Sequence, residues 1–299
     1  MKVLIGGGSG FIGQHLAQFL LEKDCEVTIL DRHKSRISSP GLTSFIVDLL
    51  KPERFEKKWF DGVDAVVNLS GRDIFTFWTK EARKEIWDSR VTVNKNLIDF
   101  ISHLGQKPKI FISASAVGFY GDKGETLLTE TAPRGEGFLA EVCQAWEEEA
   151  RKAENFGLRS VQVRTAPVLG KGGILKQMTR SFRFGVTFIF GRGNNWFSWI
   201  HMNDIVRIYH FCIVNQNLAG PVNACSPNPV RFREFINQLR EFKKAVIITL
   251  PACLLKIALQ ETADVVLFSQ RMVPSKLTDL DFQFRYPLLR DALKATLTE

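Results

Sequence analysis

Short apolar runs at residues 2–6, 26–30, 43–47, 65–69, 109–113 and 160–164 alternate with longer amphipathic stretches. In the first such stretch Phe11, Ile12, Leu16, Phe19 and Leu20 recur at helical spacing, and comparable patterns cover 81–103 and 141–155. Brief, nearly continuous apolar runs suit strands buried on both faces, and the lengths between them suit crossover helices. The pattern predicts an α/β fold built on a doubly wound parallel sheet. After residue 164 the rhythm loosens, and glycine and aromatic residues cluster at 170–173 and 185–199. Helices are expected at 204–214 and 231–241, a strand at 245–250, and a helical stretch at the C-terminus. No low-complexity linker separates the halves. The expected organisation is a sheet domain over 1–165 with a smaller α+β region over 166–299 packed against it.

Composition narrows this picture only in places. With 299 residues, 45% apolar and 24% charged, the chain can bury a full core. The longest apolar stretch, 245–255, is interrupted by Pro251 and too short to span a bilayer. Five cysteines are widely spaced with no C-x-x-C pair, which fits reduced thiols in a cytoplasmic protein better than disulfides or zinc. The net charge of +8 includes a local excess at 171–210, where six Lys or Arg face one acid, Asp204. Without a basic arm or an RNA-binding signature, nucleic acid is not the expected partner; a small anionic ligand is. Phenylalanine is abundant at 24 residues and tyrosine scarce at 3, so aromatic bulk comes with few phenolic donors.

The sharpest local signal is Gly6-Gly7-Gly8-Ser9-Gly10-Phe11-Ile12-Gly13, which follows a predicted strand and opens a predicted helix. Its spacing fits both G-x-x-G-x-x-G (Gly7, Gly10, Gly13) and G-x-G-x-x-G (Gly8, Gly10, Gly13). In that context glycines permit a tight turn, close approach of a pyrophosphate, and tight packing of helix on strand. This identifies residues 1–165 as a Rossmann dinucleotide-binding domain. The second strand ends at Leu30-Asp31-Arg32: an acid there binds the adenosine ribose of NAD, and a neighbouring Arg accommodates the 2′-phosphate of NADP. With Arg32, Lys34 and Arg36 clustered beside one carboxylate, NADP(H) is the expected cofactor, with NAD(H) as the alternative.

These motifs resemble the extended short-chain dehydrogenase/reductase superfamily, and most closely its atypical nucleoside-diphosphate-sugar-epimerase-like branch, some members of which are labelled cell-division-inhibitor-like. The resemblance runs the length of the chain. It implies cofactor contacts from Gly7, Ser9, Gly10, Phe11, Ile12 and Gly13, adenine contacts from Asp48 and Leu49, and further contacts from Leu69, Ser70, Gly71, Ser113 and Pro167. Ser115, within Ser113-Ala114-Ser115-Ala116-Val117-Gly118-Phe119-Tyr120-Gly121, is the best match to the superfamily's catalytic Ser or Thr. Phe197-Ser198-Trp199-Ile200-His201-Met202-Asn203-Asp204 is similar to the W-I-H-x-x-D segment of this branch. The C-terminal run through Gln270-Arg271-Met272-Val273-Pro274 and Phe284-Arg285-Tyr286-Pro287 resembles its small domain of unknown function. A homodimer through the helices after the fourth and fifth strands is implied by analogy.

The resemblance breaks at the catalytic pair. Reductases of the superfamily move a proton with a Tyr whose pKa is lowered by a Lys four residues on, both on one helix face. Here Phe138 and Val142 stand at those positions, or Leu139 and Cys143 one residue on, and no Tyr-x-x-x-Lys exists anywhere in the chain. Two readings follow. The chain is an NADP(H)-dependent oxidoreductase or epimerase whose proton passes through another group, Ser115 and Tyr120 being the first candidates and Ser113, Glu141, Cys143 and His201 weaker ones. Alternatively it is a non-catalytic, redox-responsive NADP(H)-binding module. Phe184, Phe188, Phe190, Trp196, Phe197 and Trp199 are expected to line an apolar substrate pocket.

Overall fold

The structure, a computed structural model, describes residues 1–298. Its central sheet has seven strands: β1 (Lys2–Gly6), β2 (Glu26–Asp31), β3 (Leu42–Ile46), β4 (Ala65–Asn68), β5 (Ile110–Ala116), β6 (Arg159–Thr165) and β7 (Gly220–Ala224). They lie in the order β7-β6-β5-β4-β1-β2-β3, every pair parallel. After β3 the chain crosses back to place β4 beside β1. This reversal opens a crevice beyond the C-terminal ends of β1 and β4, where doubly wound folds bind ligands.

Strand alternation explains why the apolar runs are continuous. Val3, Ile5, Val27, Ile29, Val67 and Ile112 point to one face, where α1 (Phe11–Leu21) and a later helix cover them. Leu4, Leu30, Val66 and Phe111 point to the other. There they meet a long helical segment made of α2 (Lys80–Trp87), one π-helical turn at Asp88–Thr92, and α3 (Val93–Ser102), together with the end of α4 (Phe138–Arg151). A third core forms among α5 (Gly173–Arg180), α7 (Phe232–Phe242) and the C-terminal helix Leu289–Thr298, around Trp199, Ile189 and Phe235.

The division expected at residue 165 is corrected by the sheet itself. After leaving for the smaller region, the chain returns through α6 (Met202–Val214), which packs on α1, and adds β7 to the sheet edge beside β6. A cut at 165 would remove one strand and one covering helix from the first domain. β7 reads Gly-Pro-Val-Asn-Ala, and Pro221 is tolerated there because the strand is an edge.

The two regions are latched by Asp204. Its fully buried carboxylate accepts the backbone N–H groups of Arg285 (2.7 Å) and Tyr286 (2.9 Å) and the Arg207 guanidinium (3.1 Å). His201 caps α6, its Nδ1 accepting the Asn203 N–H at 3.1 Å, and its ring lies 4.0 Å from that of Tyr286. Burial, then the charge of Arg285, lowers the His201 pKa to about 4. The W-I-H-x-x-D segment is therefore a structural joint.

Candidate functional site

At the C-terminal end of β1 the chain turns through Gly7, which has φ +75°. A Cβ on Gly13 would lie 2.5 Å from the Gly7 carbonyl oxygen, so α1 starts against this turn only with glycine there. Gly10 is the N-cap and supplies no capping side chain, so first-turn amides of α1 remain available to an anion. Beside them is a cleft of about 220 Å³. Gly7, Ser9 and Gly10 form one wall; Leu69, Ser70 and Gly71 form the other; Asp31, Arg32, Asp48 and Leu49 close the far end. The Asp31 carboxylate accepts the N–H of Ser9 at 3.0 Å and of His33 at 3.2 Å, while Arg32 is exposed. The tight turn, free amides and paired walls fit a dinucleotide.

Ile12 keeps its place at the start of α1: its side chain packs against the core, and its backbone N–H is one of the free first-turn amides. Two other expected contacts fall elsewhere. Arg36 is exposed and stands outside the cleft lining. Ser113 is buried, donating to the Ala114 carbonyl oxygen and accepting from Asn94 Nδ2 at 2.9 Å.

Phe11 and Pro167 line a second, larger cavity of about 650 Å³ that runs from the end of β5 into the smaller region. The Phe11 ring rests on a glycine cradle: a Cβ on Gly170, Gly172 or Gly173 would come within 2.7–2.9 Å of it. Of the aromatic residues expected here, Phe188, Phe190, Trp196 and Phe197 do line the cavity. Phe184 is instead 83% exposed and Trp199 is core.

Both expected catalytic groups are corrected by the geometry. Ser115 faces away from the cavity because alternation along β5 turns its neighbour Ala116 toward it. The Ser115 hydroxyl donates to Glu147 Oε1 at 2.7 Å. Tyr120 is fully buried; its hydroxyl donates to Asn223 Oδ1 (2.6 Å), lies 3.0 Å from Thr129 O, and accepts from Arg164 Nη1 (2.9 Å). Burial pushes its pKa up to about 12, against the smaller opposing pull of Arg164. Tyr120 belongs to a buried polar network whose centre is the Arg164–Glu147 ion pair, at 2.8 Å, with Arg164 also 3.5 Å from the Phe119 ring centroid. The residues of β5 and its following turn that line the cavity are Ala116, Val117 and Gly118, none with a hydroxyl.

Neither register of the missing pair puts a phenol or an ammonium group into the cavity. Leu139 and Cys143 line the cavity, whereas Phe138 packs on Trp78 with the Arg83 guanidinium over its ring. Val142 joins the lining. Burial raises the Cys143 thiol to about 12, and Glu141 is exposed outside it. Among the cavity-lining residues there is no Tyr and no Lys.

Two charged groups that sequence reasoning missed do reach this cavity. Arg90, on the π-helical turn, donates to the carbonyls of Arg72 (2.8 Å) and Ile86 (3.2 Å) and lies 5.3 Å from the Trp146 ring. A Cβ on Gly71 would be 3.2 Å from its Cζ, so the guanidinium sits between cleft and cavity. No carboxylate lies within ion-pair reach of it among the described residues, and burial lowers its pKa. Asp264, in the C-terminal region, presents a carboxylate to the cavity with no hydrogen-bond partner among those residues, and burial raises its pKa. The insertion of a π turn and a short helix leaves no periodic signal that marks either one.

An open parallel sheet, a glycine-turn cleft at its switch point and an adjoining cavity define a dinucleotide-binding protein of the short-chain dehydrogenase/reductase type. The chain belongs to the NAD dependent epimerase/dehydratase family, whose model matches residues 3–225, and a domain of unknown function, DUF1731, matches residues 250–296. It is 36% identical to the chloroplastic epimerase family protein SDR39U1 homolog of Arabidopsis thaliana, over 99% of this chain and 87% of the relative. It is 31% identical to the epimerase family protein YfhF of Bacillus subtilis, over 100% and 99%. The crystal structure of human epimerase family protein SDR39U1 with NADPH superposes with a TM-score of 0.85 at 28% identity, covering 100% of both chains.

Proposed function

We propose that the chain binds NADP(H) in the cleft and transfers hydride to or from a small molecule held in the larger cavity. The observation that carries the cofactor choice is at the end of β2: both Asp31 oxygens are engaged by backbone N–H groups, while Arg32 lines the cleft with its charge free for a 2′-phosphate. The human relative crystallised with NADPH supports the same choice. A bound nicotinamide supplies or accepts the hydride; the protein must position it and manage the proton. The free amides of α1 and the glycine turn hold the pyrophosphate, and Phe11 and Pro167 wall the junction between cleft and cavity.

With Tyr120 and Ser115 turned away, the group that carries the proton is Asp264. Burial raises the Asp264 pKa, so its carboxyl holds a proton more tightly than an exposed one and can deliver it to a substrate oxygen. Arg90 supplies a fixed positive charge near Cys143, in place of the absent Lys. The second reading, a binding module without turnover, is favoured by the lack of any Tyr or Lys in the cavity lining.

Titrating NADPH and NADH into wild type and Arg32→Ala tests the cofactor. NADPH affinity should fall by about tenfold or more in the variant, as loss of one charge-assisted phosphate contact implies, with NADH unchanged. Equal NADPH affinity in both proteins would remove Arg32 from the site. Turnover with carbonyls, quinones and nucleotide sugars, lost in Asp264→Asn with NADPH affinity intact, supports the enzyme. Cofactor binding that alters protease sensitivity, with no substrate oxidising NADPH, supports the module.

A further inference from the structure

Six Lys or Arg and a single acid, Asp204, fall between residues 171 and 210, and that acid is buried in the latch. None of the carboxylates in this stretch therefore offsets its cations at the surface. Lys176 and Arg180 on α5 and Arg183 on the turn that follows are joined by Lys243, from a distant part of the chain, around an open outer cleft of about 630 Å³. Thr179 and Phe182 complete its lining, so the cleft holds no acid. All four cations are exposed, and none is in ion-pair contact with a carboxylate among the described residues. This cleft is distinct from the larger cavity, and Arg180 alone is common to both.

Apolar side chains stand exposed beside it. Phe184, next in the chain to Arg183, is 83% exposed. The strand Val246–Leu250 begins at the same place: the Val246 N–H donates to the Gly185 carbonyl at 2.7 Å, and the strand pairs in parallel with Val186–Phe190. Alternation sets Val246 and Ile248 on one face of it, 67% and 40% exposed, while Ile247 packs on the third core. A single exposed apolar residue is ordinary, but three at adjoining positions beside four unpaired cations mark an interaction surface. A bilayer with anionic headgroups meets both needs at once, with phosphates at the level of the cations and acyl chains beneath them. A second copy related by a two-fold axis would bring the same four cations together. Nucleic acid would engage the cations and leave Phe184, Val246 and Ile248 in water.

We infer that this face docks the protein on an anionic lipid surface. Phe184, Val246 and Ile248 enter the boundary between headgroups and acyl chains, and Lys176, Arg180, Arg183 and Lys243 engage lipid phosphates. Among the described residues no helix is long and apolar enough to cross a membrane, so the attachment through this face is peripheral.

Cosedimentation of the full chain with phosphatidylcholine vesicles, with and without one third phosphatidylglycerol, tests this. Partitioning onto the anionic vesicles should exceed that onto the neutral ones by about tenfold or more and should fall as salt is raised. Arg183→Glu with Lys243→Glu should weaken it by about 25-fold or more, since each cation near an anionic surface is worth about fivefold. Phe184→Ser should weaken it by about tenfold, as loss of one buried aromatic side chain implies. Lys23→Glu with Lys95→Glu makes the same change in net charge at exposed positions after α1 and on α3, and should leave partitioning within about twofold of wild type. Thermal unfolding midpoints measured alongside check that each variant is folded; the substituted side chains are all exposed. No preference for anionic vesicles, partitioning that survives both the Arg183/Lys243 and the Phe184 variants, or an equal loss in the Lys23/Lys95 variant would each overturn the inference. Poly-glutamate bound through the same four cations by a chain that ignores vesicles would assign the face to an acidic protein and overturn it as well.

Discussion

At the scale of single residues, the informative side chains are those whose apparent chemistry is taken up by structure. Tyr120 has the only phenol next to the end of β5, yet it is a strut between Arg164 and Asn223. Tyr120→Phe leaves Asn223 Oδ1 without its donor and should destabilise the fold by about 1–3 kcal/mol. NADPH affinity and any turnover should persist; loss of turnover in a folded Tyr120→Phe protein would return the phenol to the reaction. His201 gives a pH signature. Its folded pKa of about 4 lies below the ordinary 6.5, so between these values the unfolded chain binds the extra proton. Stability should therefore fall as pH drops from about 6.5 to 4 and this loss should level off below, amounting to something on the order of 3 kcal/mol. His201→Asn keeps a capping side chain and should flatten that part of a denaturation-versus-pH curve; an unchanged slope would assign it to other groups.

At the scale of elements, legibility followed how local each signal is. The six strands of the first half, α1 and the glycine turn were readable because burial on both faces and tight-turn chemistry leave their mark in adjacent residues. β7 was not, because Gly-Pro-Val-Asn-Ala owes its strand to pairing with β6 rather than to its own propensity. Ser115 was misplaced by a single position, and in a strand one position is the difference between cavity and core. Arg90, Asp264 and the Arg164–Glu147 pair were unreadable for a related reason: their roles depend on neighbours from distant parts of the chain. The Asp204 latch belongs to this scale. Asp204→Ala leaves two backbone N–H groups without their acceptor, and hydrogen exchange at Arg285 and Tyr286 should accelerate well before the central sheet opens. Exchange there no faster than in wild type would mean that Asp204 does not hold the C-terminal segment.

At the scale of the whole molecule, two spaces of contrasting character meet at Phe11. One is a narrow cleft of glycines and backbone amides; the other is a broad cavity walled largely by aromatic residues. The scarcity of tyrosine is part of this contrast, since the positions facing the cavity at the end of β5 and along α4 are Ala116, Leu139, Val142 and Cys143. Among the described residues no helix is long and apolar enough to cross a membrane. Everything proposed for the cavity depends on the cleft holding a phosphorylated nicotinamide dinucleotide. A titration of the wild-type chain with NADPH and with NADH, followed by the fluorescence of the reduced nicotinamide, tests this most directly. Saturable binding of both is expected, with NADPH tighter by about tenfold or more, as one charge-assisted phosphate contact implies. No saturable binding, or NADH binding as tightly as NADPH, would contradict it.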